Sequence, residues 1–177
     1  MACKCTNLTS LAGIAVDCNA SVGGIKAVYL TPYGDGLYTT SADTVTAFTS
    51  GHTWYEYCFR KNTSEYNQTL NVNDNGSRYI SHEISLVFPR MEATKRAEMQ
   101  ALTYGDVAAV IQDANGNYWA VPLDEPVSAT EGAGATGVQK SDNNQYSITL
   151  GAETADYAYQ LTDTAITALN GLINGGN

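Results

Sequence analysis

The residue types that most often perform chemistry in proteins are sparse in this chain. It contains only two histidines, His52 and His82, and no GxSxG motif that would present a serine nucleophile. His82 lies on the apolar face of an alternating segment, where a histidine is more often a hydrogen-bonded core residue than a base or a ligand. The eighteen acidic residues nominate no particular pair for glycoside cleavage. We therefore predict that the protein is not an enzyme and uses no cofactor.

The sequence also contains only weak signals for a metal site. Of the four cysteines, Cys3, Cys5 and Cys18 supply three thiolates at most, and no fourth zinc ligand follows at the usual spacing. The stretch 71–76 imitates the start of a calcium-binding loop, but His82 stands where that loop requires a bidentate glutamate. We predict a hairpin turn there and no metal site.

Residues 132–137 spell GxGxxG, the fingerprint of dinucleotide-binding folds. That motif requires a strand before it and a helix after it, because the helix N-terminus receives the pyrophosphate. Here a turn at 142–144 and an alternating segment follow instead. We therefore interpret the segment 131–137 as a loop that binds no nucleotide.

Composition narrows the choice of partners. The chain has 177 residues and a formal charge of −9. The segment from Ala97 to Asn177 contains ten acidic residues and only one basic residue, Lys140. A protein of this composition is not expected to bind duplex DNA, because affinity for phosphates comes mainly from Lys and Arg. No stretch reaches the roughly 18 apolar residues of a membrane span, and Asp17 directly before Cys18 argues against a lipoprotein signal. We expect a soluble protein, made in a cytoplasm, without a membrane partner.

The pattern of the chain is that of a β-protein. Twelve tyrosines and many threonines suit half-buried pleated surfaces. Alternation predicts strands over 25–31, 45–49, 53–60, 66–72, 78–88, 107–112, 118–121, 146–150 and 157–161. Asn75-Gly76 and Asn115-Gly116 favour tight turns and predict two hairpins.

Two segments favour helices. Residues 92–102 are strong helix formers that end before Gly105, and Ala93, Ala97 and Ala101 recur at i, i+4 spacing. Small side chains on one face would let this helix approach a sheet closely. A short helix is also predicted over 164–173. We divide the chain into an N-terminal arm at 1–24, a β-sandwich domain at 25–162 and a C-terminal arm at 163–177.

The order of these elements resembles that of structural proteins of tailed bacteriophages and prophages, most closely tail tube (major tail) proteins. The resemblance rests on the run Tyr79 to Phe88, the helical stretch that begins with Arg90-Met91-Glu92, and the hairpin around Ala114-Asn115-Gly116-Asn117-Tyr118-Trp119. The later segment 137–150, a turn followed by Tyr-x-Ile-x-Leu, also fits. The resemblance covers residues 20–162 and includes no catalytic signature.

The resemblance implies a mainly β subunit, a β-sandwich or barrel-like tail tube fold with one helix on its flank. Six copies would form a ring, and rings would stack into a hollow tube through which the genome passes without specific binding. Other tail proteins would be further partners, and the protein would be made in the host cytoplasm and end in the virion tail. Candidate contacts between copies lie in the long hairpin and the two arms: Leu8, Leu11, Asn73, Asn75, Arg78, Leu169, Leu172 and Ile173.

Two other interpretations fit the same residues. The protein could be a different virion part, such as a tail-completion or head-tail joining protein. Alternatively, Trp54, Trp119 and the tyrosines could form a sugar-stacking platform on a carbohydrate-binding or adhesin module. Strict monomers that bind glycans would favour the second alternative, whereas rings or tubes would favour the tail tube.

Overall fold

A computed structural model describes residues 21–60 and 62–174 of the chain. Twelve strands and two helices follow one another along the described residues. They are β1 Ile25–Pro32, β2 Tyr38–Ser41, β3 Thr44–Phe48, β4 Trp54–Cys58, β5 Glu65–Val72, β6 Arg78–Pro89, α1 Ala93–Tyr104, β7 Val107–Asp113, β8 Tyr118–Ala120, β9 Ser128–Ala135, β10 Gln145–Thr154, β11 Tyr159–Leu161, α2 Asp163–Leu172 and β12 Ile173–Asn174.

The strands form two sheets. Eight of them make the large sheet, in the order β12-β4-β1-β7-β8-β11-β3-β2, and this sheet is curled. The other four make the small sheet, in the order β5-β6-β10-β9, where every neighbouring pair is antiparallel. The predicted fold class, mainly β with a sandwich-like or barrel-like arrangement, is confirmed.

Two apolar cores lie on opposite faces of the large sheet. Strand β1 shows the division, because Val28 and Leu30 face the small sheet while Ala27 and Tyr29 face α2. The first core joins Val28 and Leu30 to buried residues of the small sheet such as Ile84 and Leu150. A strand buried on both faces must be apolar on both, which explains the continuous burial from Ala27 to Thr31.

Both predicted hairpins are present. β5 and β6 pair from Glu65↔Ser85 to Val72↔Arg78, and the turn between them closes with Gly76 at a positive φ of 84°. In the β7–β8 hairpin, Gly116 has a φ of 91°. The Asp113 carboxylate tightens that turn by accepting hydrogen bonds from the backbone N–H groups of Asn115 and Asn117, at 2.8 and 2.9 Å.

The helix predicted at 92–102 is α1, but the prediction of its packing face was wrong. Ala93, Ala97 and Ala101 are exposed, and the buried residues of the helix are Met99 and Leu102. Long apolar side chains remove more area from water than alanine does, so the side of the helix that carries them turns toward the first core.

The interpretation of residues 131–137 as a loop was also wrong. Most of that segment belongs to β9, which pairs with β10 from Gln145↔Ala135 to Gly151↔Ser128. Its glycines and alanines carry little strand propensity, and neighbouring β10 supplies the backbone partners that hold them extended. A Cβ on Gly134 would lie 2.8 Å from the Tyr146 ring, so this glycine makes room for an aromatic side chain.

A matched pair of substitutions tests this role of Gly134. Gly134→Ala is expected to lower the free energy of unfolding by about 1–3 kcal/mol, because the added methyl must displace the Tyr146 ring. Gly132→Ala is the control, since its Cβ would meet nothing closer than 3.9 Å. Urea denaturation measures both. Equal stability of the two variants would contradict the packing described here.

The short helix predicted at 164–173 is present as α2, within the segment 163–177 that was assigned to a C-terminal arm. Residues 163–172 form α2, whose Ala165 and Leu169 are fully buried in the second core, and β12 pairs with β4. Thr162 caps the helix by accepting a hydrogen bond from the Ala165 N–H at 3.3 Å. An amphipathic helix next to an apolar sheet face buries its apolar side there instead of extending outward.

The predicted N-terminal arm at 1–24 falls almost entirely outside the described residues. Its last residues, 21–24, lie against the β7–β8 turn, where the Val22 N–H donates to the Asn115 side chain at 2.9 Å. The short strands β2 and β12 were not predicted from the sequence. They have four and two residues, too few for alternation to be recognised.

Candidate assembly surface

The small sheet has one buried face. Ile84 and Leu86 of β6 and Ile148 and Leu150 of β10 point into the first core and are at most 2% exposed. The register places these residues opposite one another across the β6–β10 pair. This face is therefore covered by the large sheet of the same chain.

The opposite face of the small sheet is polar and acidic. It carries the alternate residues of all four strands, fixed by the same register. We call it the acidic face; its charged residues are Glu65, Glu83, Glu131 and Glu153, and all four are exposed. Most of the remaining positions are Ser, Thr, Asn, Ala or Gly, and none of the alternate residues described on this face is Lys, Arg or His.

The two outer strands of the small sheet, β5 and β9, have open edges. No described strand pairs with the outer side of either, and each is eight residues long. Natural sheets usually protect such edges with charged side chains, especially lysine, with proline, with bulges or with very short strands. Neither β5 nor β9 contains Lys, Arg or Pro; each has one glutamate, and the β9–β10 pairing has one bulge. Leu70 and Val72 of β5 are 50% and 59% exposed. Edges of this length with so little protection favour pairing with another chain.

The directions of these edges are complementary. Because the four strands are antiparallel in sequence across the sheet, β5 and β9 run in opposite directions. A β9 edge from a second copy in the same orientation could therefore pair with β5 as an antiparallel neighbour. Antiparallel pairing is the slightly more stable kind.

The structure places three of the predicted contact residues at one end of this sheet. Asn73 and Asn75 are exposed in the β5–β6 turn, and Arg78 is exposed at the start of β6. The two asparagine side chains bond within the turn: Asn73 Nδ2 donates to Ser77 Oγ at 3.0 Å, and Asn75 Oδ1 accepts from the Ser77 N–H at 3.0 Å. Their first role is therefore to shape the hairpin.

The other predicted contact residues are not brought to this surface. Leu169 is fully buried in the second core, so the prediction that it contacts another copy was wrong. Leu172 and Ile173 are partly buried against the same core. Leu8 and Leu11 lie outside the described residues. An extended arm would expose the three C-terminal side chains, whereas α2 and β12 pack them against their own chain.

Sequence reasoning missed the acidic face and the two edges. Part of the signal was present, because Ser81, Glu83 and Ser85 alternate with the apolar residues of β6. Glu131 could not be placed on the same face while its segment was interpreted as a loop. The open edges depend on the order of strands in the sheet, and the alternation of residues within one strand does not predict that order.

His82 is the hydrogen-bonded core residue that the sequence predicted. It is 1% exposed, its Nδ1 lies 2.7 Å from the Tyr66 hydroxyl, and its Nε2 lies 2.7 Å from Thr154 Oγ1. Thr154 Oγ1 donates to the Asp156 carbonyl, so it accepts from Nε2–H, and Nδ1 accepts from Tyr66. The neutral ring is fully paired. Burial lowers the pKa of His82 below its ordinary 6.5, against a smaller raising effect of the Asp156 carbonyl.

This lowered pKa predicts a pH dependence of stability. Because the unfolded chain takes up the proton first, stability is complete above about pH 6.5 and falls as the pH drops toward the folded-state pKa. His82→Gln should cost about 1–3 kcal/mol at neutral pH by breaking the network. Its stability should nevertheless fall less than that of the wild type between about pH 7.5 and about pH 5. Thermal unfolding at the two pH values measures this, and parallel losses in both proteins would contradict it.

Two further observations concern metals and membranes. Across residues 21–60 and 62–174, no three His, Cys, Asp or Glu side chains converge as metal ligands would. Neither helix in that part of the chain has the length and apolar character needed to cross a bilayer. Cys58 is exposed and reduced.

Comparison with known proteins adds no family to this description. No protein family model matches the sequence. No curated protein is similar to it in sequence. The class of protein defined here is therefore that of its fold, a mainly β subunit in which a small sheet with two open edges and an acidic face packs on a larger curled sheet.

Proposed function

We propose that the protein is a non-enzymatic structural subunit that joins copies of itself edge to edge into a ring, as a tail tube protein of a tailed phage does. The observation that carries this proposal is the small sheet, whose β5 and β9 edges are both long, open and free of Lys, Arg and Pro. Edges of this kind are an aggregation hazard in a monomer. In a closed ring each copy covers one small-sheet edge of the next, and no edge of the small sheet is left over.

The geometry of such a ring follows from the strand directions. Rotation about an axis roughly along the strands keeps their directions, so β9 of one copy meets β5 of the next as an antiparallel pair. Six copies would contribute roughly 24 strands, more than the 16–18 strands that already enclose an aqueous channel in porins. The large sheet covers the buried face of the small sheet, and in the proposed ring it lies outside, so that the acidic face lines the channel.

The acidic face suits the passage of a nucleic acid. Glu65, Glu83, Glu131 and Glu153 would repeat around the lumen, where like charge repels the phosphates of DNA. The surrounding Ser, Thr and Asn side chains are small and polar. DNA would slide through such a conduit without specific binding. We place the protein in the tail of a virion, made in the host cytoplasm, with other tail proteins as its further partners.

Electron microscopy of the purified protein at rising concentration tests this proposal. Rings with a central hole, or hollow tubes built from them, are the expected result. A protein that stays dispersed as monomers at the highest concentration reached would contradict it. Glycan binding by such monomers would favour the carbohydrate-binding alternative, although Trp54, one of its proposed stacking residues, is fully buried.

A further inference from the structure

The proposed function gives a role to the faces and the edges of the small sheet, but none to its two ends. β6, its longest strand, has twelve residues and separates the two ends by roughly 36 Å. In a ring with strands along its axis, these ends form the upper and lower rims. Whatever joins one ring to the next must therefore involve them.

One end is rich in basic side chains, and we call it the basic end. It comprises the end of β6, the start of α1, the β9–β10 loop and the β4–β5 connection, whose Phe59 ring packs against Phe88 of β6. Five of the seven Lys and Arg residues in the described part of the chain lie there: Arg60, Arg90, Lys95, Arg96 and Lys140. Four of these five are exposed, and the side chain of Lys95 is about one third exposed.

The carboxylates at the basic end are engaged locally. Glu92 lies 3.0 Å from Arg90 Nε and 3.7 Å from Lys95 Nζ. The Asp142 carboxylate accepts the backbone N–H groups of Val138 and Gln139, both at 2.8 Å. Arg60, Arg96 and Lys140 have no carboxylate partner among the described residues, so this end presents an excess of positive charge.

The other end carries the opposite charge, and we call it the acidic end. The β5–β6 turn lies at this end, because β6 begins at Arg78 and its Ile80 pairs with Thr154, the last residue of β10. The segments before β9 and after β10 also meet there, since the Asp124 carboxylate accepts a hydrogen bond from the Ala155 N–H at 3.1 Å. Its exposed acidic residues are Asp74, Asp124, Glu125 and Asp156. Arg78 is the one basic side chain among the described residues of this end.

Rings of the proposed function stack along this axis, and we propose that the contact between them seats the basic end of one copy on the acidic end of another. This inference rests on the proposed function, since the ring sets the axis. The partner is a second copy because each end carries the charge that the other lacks. A head-to-tail contact of this kind does not close on itself, so it propagates into an open filament, here a tube.

The same charges fix the polarity of the tube. A ring placed upside down would bring like charges together at the junction, which is unfavourable at an interface. Each exposed ion pair is worth little by itself, but every copy in a ring repeats it. Because the pairs are exposed, stacking should weaken with salt while the hydrogen-bonded edges within each ring persist.

Two double variants test this inference. Arg96→Glu with Lys140→Glu makes both ends acidic, and Asp74→Lys with Glu125→Lys makes both ends basic. These four side chains are exposed and accept or donate no hydrogen bond to another described residue, so the fold should be retained. Circular dichroism and thermal unfolding verify the fold, and electron microscopy measures rings and tube length.

Each double variant alone is expected to form rings and to shorten the tubes about tenfold or more. Mixing the two in equal amounts should restore tubes, because one junction is native and the other has its charges exchanged. Raising salt from about 50 mM to about 500 mM should shorten wild-type tubes while rings persist. Unchanged tubes in either variant, or no recovery on mixing, would overturn the stacking inference. Folded variants and wild type that form no rings at all would instead contradict the proposed function.

Discussion

Leu70→Lys is expected to raise the concentration at which rings form at least about tenfold, which corresponds to about 1.4 kcal/mol or more per seam. Leu70 is half exposed on the open edge of β5. A lysine there blunts the edge by placing a charge and a long solvated side chain where a neighbouring strand would pair. Sedimentation velocity and electron microscopy, each over a concentration series, measure the change.

The matched control for this prediction is Tyr104→Lys. It also replaces an exposed side chain by lysine, at a residue that is 82% exposed at the end of α1 and belongs to neither β5 nor β9. Assembly of this variant should equal that of the wild type. If the two variants assemble equally well, β5 does not form the seam.

The Leu70→Lys variant also allows the two edges to be tested separately. Its β9 edge is intact, so it can still pair with β5 of a wild-type copy while offering a blunted β5 to the next. Small amounts added to the wild type should therefore terminate chains and reduce ring number beyond simple dilution. A strictly proportional loss of rings would argue against edge-to-edge pairing.

The second large effect is expected from charge reversal on the acidic face. Tubes of Glu83→Lys with Glu153→Lys should bind DNA about a thousandfold more tightly than wild-type tubes at low salt, because each substitution replaces a repelling carboxylate by a phosphate contact repeated in every copy. Both side chains are exposed strand residues, so the fold should persist. Binding should weaken steeply as salt is raised.

The control for this variant changes the net charge equally on another surface. Asp35→Lys with Asp163→Lys replaces two exposed carboxylates, neither of which lies on the acidic face. DNA held by the Glu83 and Glu153 variant should be protected from nuclease inside the tube, whereas DNA bound to the control should be digested. Equal nuclease sensitivity would mean that the acidic face does not line the lumen.

The parts of this fold that the sequence predicted are those set by local chemistry. Alternation in β6 and β10 and the two Asn-Gly turns specify strands and hairpins without reference to the rest of the chain. His82 was correctly interpreted because a polar residue on an apolar strand face must be paired when buried.

The parts that were missed depend on partners distant in sequence. β9 is extended because β10 lies beside it, although its glycines and alanines favour no particular structure. α2 was predicted as a helix, but its packing was not, because it is held by the second core, which the large sheet completes with residues from Ala27 to Leu161. The assembly surface was the hardest part to predict from the sequence, because its edges and its acidic face follow from the order and register of four strands together.

The even number of strands in the small sheet has a consequence for the size of the conduit. With four antiparallel strands, every seam repeats the pairing found inside a copy, whatever the number of copies. The seam therefore carries no information about stoichiometry. The diameter must be set by the wedge angle that each copy occupies, and the large sheet, packed outside the small one, determines that angle. Core substitutions far from any contact between copies could then widen or narrow the bore while the seams stay intact.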